Sequence, residues 1–272
     1  MHPQQTHWGS CNKQDRHAIT TVMQSRVPIF LPVSQVSPAK KQEKNSSTTT
    51  SWGEVVTKGV KLTQVHRNLL DCVMAYHFRV HKYPDGCVGF LISLRQLQKN
   101  MGINPTNHQW LVEKLDQLME TIVVVKTSNI TLHTHIVRKH CYSQQVPMAG
   151  HGPKGGQNMY YGIVFEAEWM RIFEEDIKIY SADLVTKIIA LHDPLLQAFV
   201  RFCLTHRQLN MSLCDVLTAI GGSSGVRQVR RYCQKLANSA ADLQDKFGIS
   251  IKDNIVFYRQ HKDVWIDIPQ SA

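Results

Sequence analysis

The spacing of apolar residues changes near residue 56, where a helical pattern begins. From there, apolar side chains recur at intervals of three and four positions, which is typical of a helix that packs one face on a core. The members of this stripe are Leu62, Val65, Leu69, Val73 and Tyr76. The pattern predicts a long first helix.

Further along, the order of predicted elements is that of a winged helix. An apolar strand at 88–92 precedes a helix that Ser93 caps, and a second helix begins near Asn107. Two segments rich in β-branched residues follow, at 122–126 and 131–138. A helix, a strand, two helices and a strand pair predict a first winged helix.

A similar order of elements returns in the second half. A helix is predicted over 183–191, and Asp193-Pro194 is typical of the start of the next one. A helix at 212–220 and a glycine turn precede a long helix that begins near Ser224. Two strands joined by a polar turn, within 249–259, complete a second winged helix.

These patterns predict an α+β protein with two tandem winged-helix domains. The first is expected at 56–175 and the second at 176–266, with a short C-terminal end at 267–272. Residues 1–55 are rich in Gln, Ser, Thr and Lys and show no sustained period, so they are expected to form a disordered tail.

Charge and composition favour a polyanionic partner. The 272 residues carry a formal net charge of +10, with a sequence pI of about 9.3, and nucleic acid is the expected ligand. No long uncharged apolar run and no signal-peptide core occur, which predicts a cytoplasmic protein without a membrane partner. Seven cysteines without a CxxC pair argue against a disulfide framework and a zinc site, so no metal or cofactor is expected.

The long helix of the second half carries the candidate recognition surface. Three arginines and a glutamine recur at spacings that place them on one face, opposite apolar positions: Val226, Val229, Cys233 and Leu236. Arginine can bond guanine and phosphate, and glutamine can pair with adenine. The predicted DNA contacts are Arg227, Gln228, Arg230, Arg231, Gln234 and Lys235 on the helix, with Lys252 and Arg259 near the hairpin.

The second half resembles the plasmid replication initiators of the tandem winged-helix, TrfA-like kind. The motifs that carry the resemblance are Ile163-Val164-Phe165 with Phe173, Tyr180-Ser181, Leu191-His192-Asp193-Pro194-Leu195, Phe202-Cys203-Leu204-Thr205-His206-Arg207 and Gly221-Gly222-Ser223-Ser224-Gly225-Val226-Arg227. The resemblance implies a bacterial, plasmid-associated protein. Its first winged helix would make a dimer contact or a contact with the DNA backbone, and its second would bind iterons, the repeated duplex sequences of an origin. Partners implied in the same way are DnaA and the replicative helicase of the host, and the protein would also repress its own promoter.

Two other functions remain open at this point. Rolling-circle initiators and relaxases nick DNA with a tyrosine and a histidine pair, for which His133, His135 and Tyr232 are the candidates. Threonine stands between the two histidines where an apolar residue is usual, and no third metal ligand is evident, so no catalytic centre is expected. A winged-helix transcription repressor would share the same fold and DNA binding.

The tail contains one compact apolar segment that suggests a protein contact. Gln24, Val27, Ile29 and Phe30 resemble the glutamine-aliphatic-phenylalanine peptides that dock on the bacterial sliding clamp. Packing of this segment against the first winged helix is the alternative. The clamp is therefore a further candidate partner.

Overall fold

The structure is a computed structural model in which the described residues are 9–10, 17–21, 25, 27–36, 45–50, 53–104, 106–129, 131–143, 160–171, 177–222 and 225–260. Within these ranges the fold is α+β, as the sequence predicts. The described part contains nine helices: α1 Gln64–Tyr76, α2 Leu94–Met101, α3 His108–Glu120, α4 Ala167–Arg171, α5 Ala182–Ile189, α6 Pro194–Leu204, α7 Leu213–Ala219, α8 Val226–Asn238 and α9 Ala240–Phe247. No helix among these residues is long and apolar enough to cross a membrane.

The described strands form four antiparallel sheets. Their bounds are β1 Gly9–Ser10, β2 His17–Thr21, β3 Asn45–Thr50, β4 Gly53–Lys58, β5 Arg79–Lys82, β6 Val88–Ser93, β7 Ile122–Lys126, β8 Thr131–His135, β9 Val137–Ser143, β10 Tyr160–Phe165, β11 Ile177–Ser181, β12 Gln208–Ser212, β13 Ser250–Lys252 and β14 Ile255–Arg259. The sheet orders are β1-β5-β6-β10-β9, β3-β4-β7-β8, β12-β14-β13 and β11-β2.

Strand pairing in the first half differs from the predicted arrangement. The hairpin β7–β8 does not join β6 in one sheet. It pairs with β4, where Val55 lies opposite Val125, while β6 pairs with β5 and β10. The predicted strand at 131–138 is broken at Ile136, so β8 and β9 belong to different sheets.

The N-terminal segment is more ordered than the predicted tail to residue 55. Strands β3 and β4 form a hairpin at 45–58, and Val55 and Val56 are buried against the rest of the sheet. The hydroxyl-rich run at 45–50 offers little apolar periodicity, which is why composition alone indicated disorder. Most of residues 1–24 lie outside the described residues.

The segment proposed to dock on the clamp is part of the core. Val27, Ile29 and Phe30 are 3%, 2% and 3% exposed, whereas anchors for a groove on another protein must be free to leave the chain's own surface. The carbonyl of Phe30 accepts a hydrogen bond from Gln64 Nε2 at 2.8 Å. Docking on the clamp stays a prediction that would require these three side chains to leave the core, and Gln24 lies outside the described residues.

Side-chain caps fix the start of α5, α6 and α7. Ser181 Oγ accepts the amide of Leu184 at the start of α5, and Ser212 Oγ accepts that of Asp215 in α7. Asp193 Oδ1 accepts two amides of the first turn of α6, as the Asp193-Pro194 pattern predicts. The predicted long helix from Ser224 is interrupted at Ser239, which divides it into α8 and α9.

One continuous apolar core joins the two halves, from Val27 to Tyr258. Within it lies a buried polar network between α1 and α6. Asp71 accepts hydrogen bonds from Arg67 Nε at 2.9 Å and from Arg201 Nε and Nη2 at 3.0 and 2.8 Å. Arg201 also donates to Gln64 Oε1 at 2.8 Å and to Asn68 Oδ1 at 2.7 Å. These charges are inaccessible to solvent, so each depends on its partners.

We predict that Arg201→Met destabilises the fold strongly. The substitution keeps the volume but leaves the carboxylate of Asp71 with one cation, and breaking a buried pair costs about 3–5 kcal/mol. Urea unfolding measures the loss. Lys246→Met, which removes an exposed pair with Asp242, is the control and should change stability by about 0.5 kcal/mol or less. Equal stability of both variants would contradict this role of the network.

A second prediction concerns pH. Burial, with the positive charge of Lys114, lowers the pKa of His66 to about 4 from 6.5. Its Nδ1 accepts the amide of Thr63 at 3.0 Å, and its Nε2 donates to Gln117 Oε1 at 2.7 Å. Between pH 6.5 and 4 the unfolded chain therefore binds a proton that the folded chain does not, so stability falls as pH falls.

Because of this side chain, the free energy of unfolding is expected to fall by about 2 kcal/mol between pH 7 and pH 5. The measurement is urea unfolding at both pH values for the wild-type chain and for His66→Gln, which cannot titrate. Between pH 7 and pH 5, the free energy of unfolding of the variant should fall by about 2 kcal/mol less than that of the wild-type chain. The same pH dependence in both proteins would show that His66 does not titrate in this way.

Candidate nucleic-acid interface

Helix α7 ends in a glycine turn at Gly221 and Gly222, shortly before α8 begins. Gly221 has φ 77°, and Gly222 N donates to the carbonyl of Leu217 at 2.7 Å. A Cβ atom on Gly221 would lie 2.7 Å from Pro28 Cβ, so this position requires glycine for its conformation and for close packing. The buried N-terminal segment therefore supports the turn directly.

Helix α8 packs one face on the second half and exposes the other. Leu236 is buried, and Val229, Tyr232 and Cys233 pack against the core at its edge. The opposite face exposes the side chains of Arg227, Arg230, Arg231 and Gln234. No ion pair of the three arginines is found within the described residues, and α8 contains no acidic residue. The predicted recognition face is thus an exposed, uncompensated cationic surface.

Two other predicted contacts on α8 are engaged within the protein. Lys235 forms an ion pair with Asp193, the residue that caps α6. Gln228 Nε2 donates to the hydroxyl of Tyr232 at 2.6 Å. Lys235 therefore ties α8 to α6, a contact that sequence reasoning missed because it joins residues distant in the chain.

The first residue of α8 is not where the helical pattern predicts it. Val226 was expected on the apolar packing face, but it is 71% exposed. It is the first residue of the helix and follows Gly225, whose φ of 141° favours glycine. Its position at the open end of the helix, rather than its hydrophobicity, decides its exposure.

The two remaining residues that were predicted to contact DNA, Lys252 and Arg259, lie at opposite ends of the hairpin β13–β14. Asp253 and Asn254 have φ 50° and 60°, as a tight two-residue hairpin turn requires. Lys252 is next to this turn, whereas Arg259 lies at the far end of β14, opposite Gln208. Arg259 is four positions after Ile255 along β14, which corresponds to about 13 Å. Lys252 and Arg259 therefore do not form one cationic patch at the hairpin tip.

Helix α3 in the first half has the opposite charge. It exposes Glu113, Asp116 and Glu120, and its single lysine, Lys114, donates to Gln117 at 2.8 Å. Carboxylates repel phosphates, so this helix is unsuited to a DNA groove. The cationic surface lies in the second half.

Two of the three residues of the nicking alternative, His135 and Tyr232, bond other groups. His133 and His135 share one face of β8, and His135 Nδ1 bonds the carbonyl of Met119 at 2.6 Å. The hydroxyl of Tyr232 is held by Gln228, and no bond joins it to either histidine in the part that the structure describes. In the same part, no group of three or more His, Cys, Asp or Glu side chains is arranged to hold a metal.

Comparison with known proteins gives distant structural neighbours. The sequence matches no family model and no curated protein. A crystal structure of selenomethionine derivatives of domain 2 and domain 3 of RctB is similar over 90% of this chain and 95% of that one, with TM-score 0.49 and 10% identity. A crystal structure of RctB domains 2-3 is similar over 87% and 94%, with TM-score 0.47 and 12% identity. At these values neither similarity assigns a family or a function to this chain.

Proposed function

We propose that this protein binds duplex DNA sequence-specifically, with α8 in the major groove. The observation that carries the proposal is the row of exposed arginines on α8, which has no acidic residue and no ion pair among the described residues. Arginine bonds the O6 and N7 of guanine through two parallel N–H groups, and the same group pairs with phosphates. An α-helix fits the width of the major groove.

The surroundings of α8 support this placement. Strand β12, helices α7 and α8 and hairpin β13–β14 occur in the order of a winged helix, with α9 inserted between α8 and the hairpin. Strand β14 lies between β12 and β13 in the sheet. We propose that the second half is a winged helix with α8 as its recognition helix. Lys252, beside the hairpin turn, would contact backbone phosphate.

The ion pair between Lys235 and Asp193 gives Lys235 a positioning role. Asp193 caps α6, and α6 carries Arg201 of the buried network. An ion pair on the flank of α8 leaves its arginine face free and opposes rotation of the helix. We therefore assign base and phosphate contacts to Arg227, Arg230, Arg231 and Gln234, and orientation of α8 to Lys235.

The wider biological role that we propose is replication initiation at plasmid iterons. It rests on the resemblance of the second half to the TrfA-like initiators, together with the cationic face described above. In this proposal the first half, whose α3 is acidic, contacts a second copy of the chain rather than DNA. DnaA and the replicative helicase are the host partners that the resemblance implies, and the protein acts by binding without nicking DNA.

We predict that Arg230→Ala and Arg231→Ala each weaken binding to a cognate duplex by about 1–3 kcal/mol. Both side chains are exposed, so circular dichroism should show an unchanged fold. The duplex is one that the full-length chain selects from a random-sequence library. Fluorescence anisotropy gives the dissociation constants over a range of salt concentrations, and a lost phosphate contact should also reduce the salt slope by about 1.

Arg171→Ala is the matched control, because Arg171 is also an exposed arginine, lies on α4 outside the proposed interface and has only a long 4.0 Å ion pair with Glu168. It should bind the selected duplex like the wild-type chain. Wild-type affinity in both α8 variants would place the recognition surface elsewhere. Failure to select any duplex, or a binding constant independent of salt, would contradict the proposal as a whole.

A replication assay separates the initiator from the repressor and from the nicking enzyme. We predict that a plasmid carrying this gene and its flanking DNA, and no other initiator, replicates in a bacterial host. The double variant Arg230→Ala, Arg231→Ala should abolish replication, and Tyr232→Phe should not. No replication with the wild-type gene would favour the repressor, and its loss with Tyr232→Phe alone would favour nicking.

A further inference from the structure

An exposed apolar side chain stands at the start of the proposed recognition helix. Among the described residues the large hydrophobic side chains that are exposed are Tyr142, Val226 and Phe257, and Val226 is the most exposed of them at 71%. It is the first residue of α8. Single exposed hydrophobic residues are common on protein surfaces, so the position of Val226 is what calls for an explanation.

Val226 lies beside the arginines of the cationic face. Arg227 follows it directly, and Arg230 is four residues on, so Val226 and Arg230 are neighbours along one row of the helix, with Cβ atoms about 5–6 Å apart. The space in front of the preceding Gly225 is open, since a Cβ atom there would have no neighbour within 4 Å. Val226 is therefore exposed next to Arg230, at the edge of the arginine face where α8 begins.

We propose that Val226 contacts the C5-methyl group of a thymine and thereby specifies that base pair. This inference rests on the proposed function, in which α8 occupies the major groove. Thymine presents the only methyl group in that groove, and small apolar side chains are its usual partners. The N-terminal residues of a recognition helix are those that contact base edges.

The chemistry of valine suits a fixed apolar contact. Its branched Cβ leaves one strongly preferred χ1 rotamer in a helix, so little side-chain freedom is lost when the base is bound. No hydrogen bond is needed at this position, and the contact discriminates by shape and by exclusion of water. Val226 would thus recognise the methyl group of thymine, with which the guanidinium groups of the neighbouring arginines form no hydrogen bond.

The spacing also predicts where the thymine lies. Base pairs are stacked about 3.4 Å apart, and the Cβ atoms of Val226 and Arg230 are about 5–6 Å apart. The thymine is therefore expected within about two base pairs of a guanine whose recognition depends on Arg230.

Deoxyuridine substitution tests the contact, because it removes the C5-methyl group and leaves every hydrogen-bonding group of thymine in place. The probe is the duplex selected by the full-length chain, with one thymine at a time replaced. We expect one such replacement to weaken wild-type binding about fourfold, the factor for one buried methyl group. Val226→Ala should bind the thymine duplex about as weakly and should be insensitive to the replacement.

Phe257→Ala is the control, since Phe257 is an exposed apolar residue on β14 rather than on α8. It should keep the wild-type response to deoxyuridine. The inference is overturned if no replacement weakens binding, if Val226→Ala responds as the wild type does, or if Val226→Ala instead abolishes self-association in sedimentation. Each of these results leaves duplex binding by the arginines intact, whereas absence of any duplex binding refutes the proposed function itself.

Discussion

The carboxylate of Asp71 is the buried charge on which the arrangement of the two halves depends. It lies on α1 and accepts hydrogen bonds from Arg201 on α6, which is 130 residues away in the sequence. An unpaired charge in such a place would be strongly unfavourable, so α1 and α6 cannot separate or slide without a large energetic penalty. Asn68 and Gln197 extend the same contact by a 3.0 Å hydrogen bond between the helices. These directional hydrogen bonds favour one position of α6 relative to α1 within the shared apolar core.

A short series of contacts connects this buried network to α8, the helix of the candidate interface. Helix α6 carries Arg201 near its end and is capped by Asp193 at its start, and Asp193 also pairs with Lys235 of α8. On the other side, Pro28 of the buried N-terminal segment packs on Gly221 at the turn before α8. The cationic face is therefore held from both flanks by elements that belong to the common core. A rigidly supported helix loses little freedom on binding, which favours affinity.

Local sequence patterns predicted the elements of the second half well. The differences between prediction and structure arise from contacts between residues that are distant in the chain. The Asp193-Pro194 helix start, the glycine turn and the Asp253-Asn254 hairpin each depend on residues adjacent in sequence. The burial of Asp71 and Arg201 depends on partners far along the chain. The sequence pattern around each of them alone would therefore predict a charged residue on the surface. Strand β3 has a polar sequence that only pairing with β4 makes a strand. The arginine face of α8 was predictable from helical spacing, whereas the exposure of Val226 depends on where the helix begins.

Methylation interference on the selected duplex tests the central claim, that α8 reads DNA in the major groove. Dimethyl sulfate methylates guanine N7 in the major groove and adenine N3 in the minor groove, so one experiment compares both. The account predicts that methylation at a few guanines prevents binding of the wild-type chain, and that Arg230→Ala is no longer sensitive to at least one of them. Interference confined to adenine N3, or an identical guanine pattern for the wild type and for each arginine variant of α8, would contradict it.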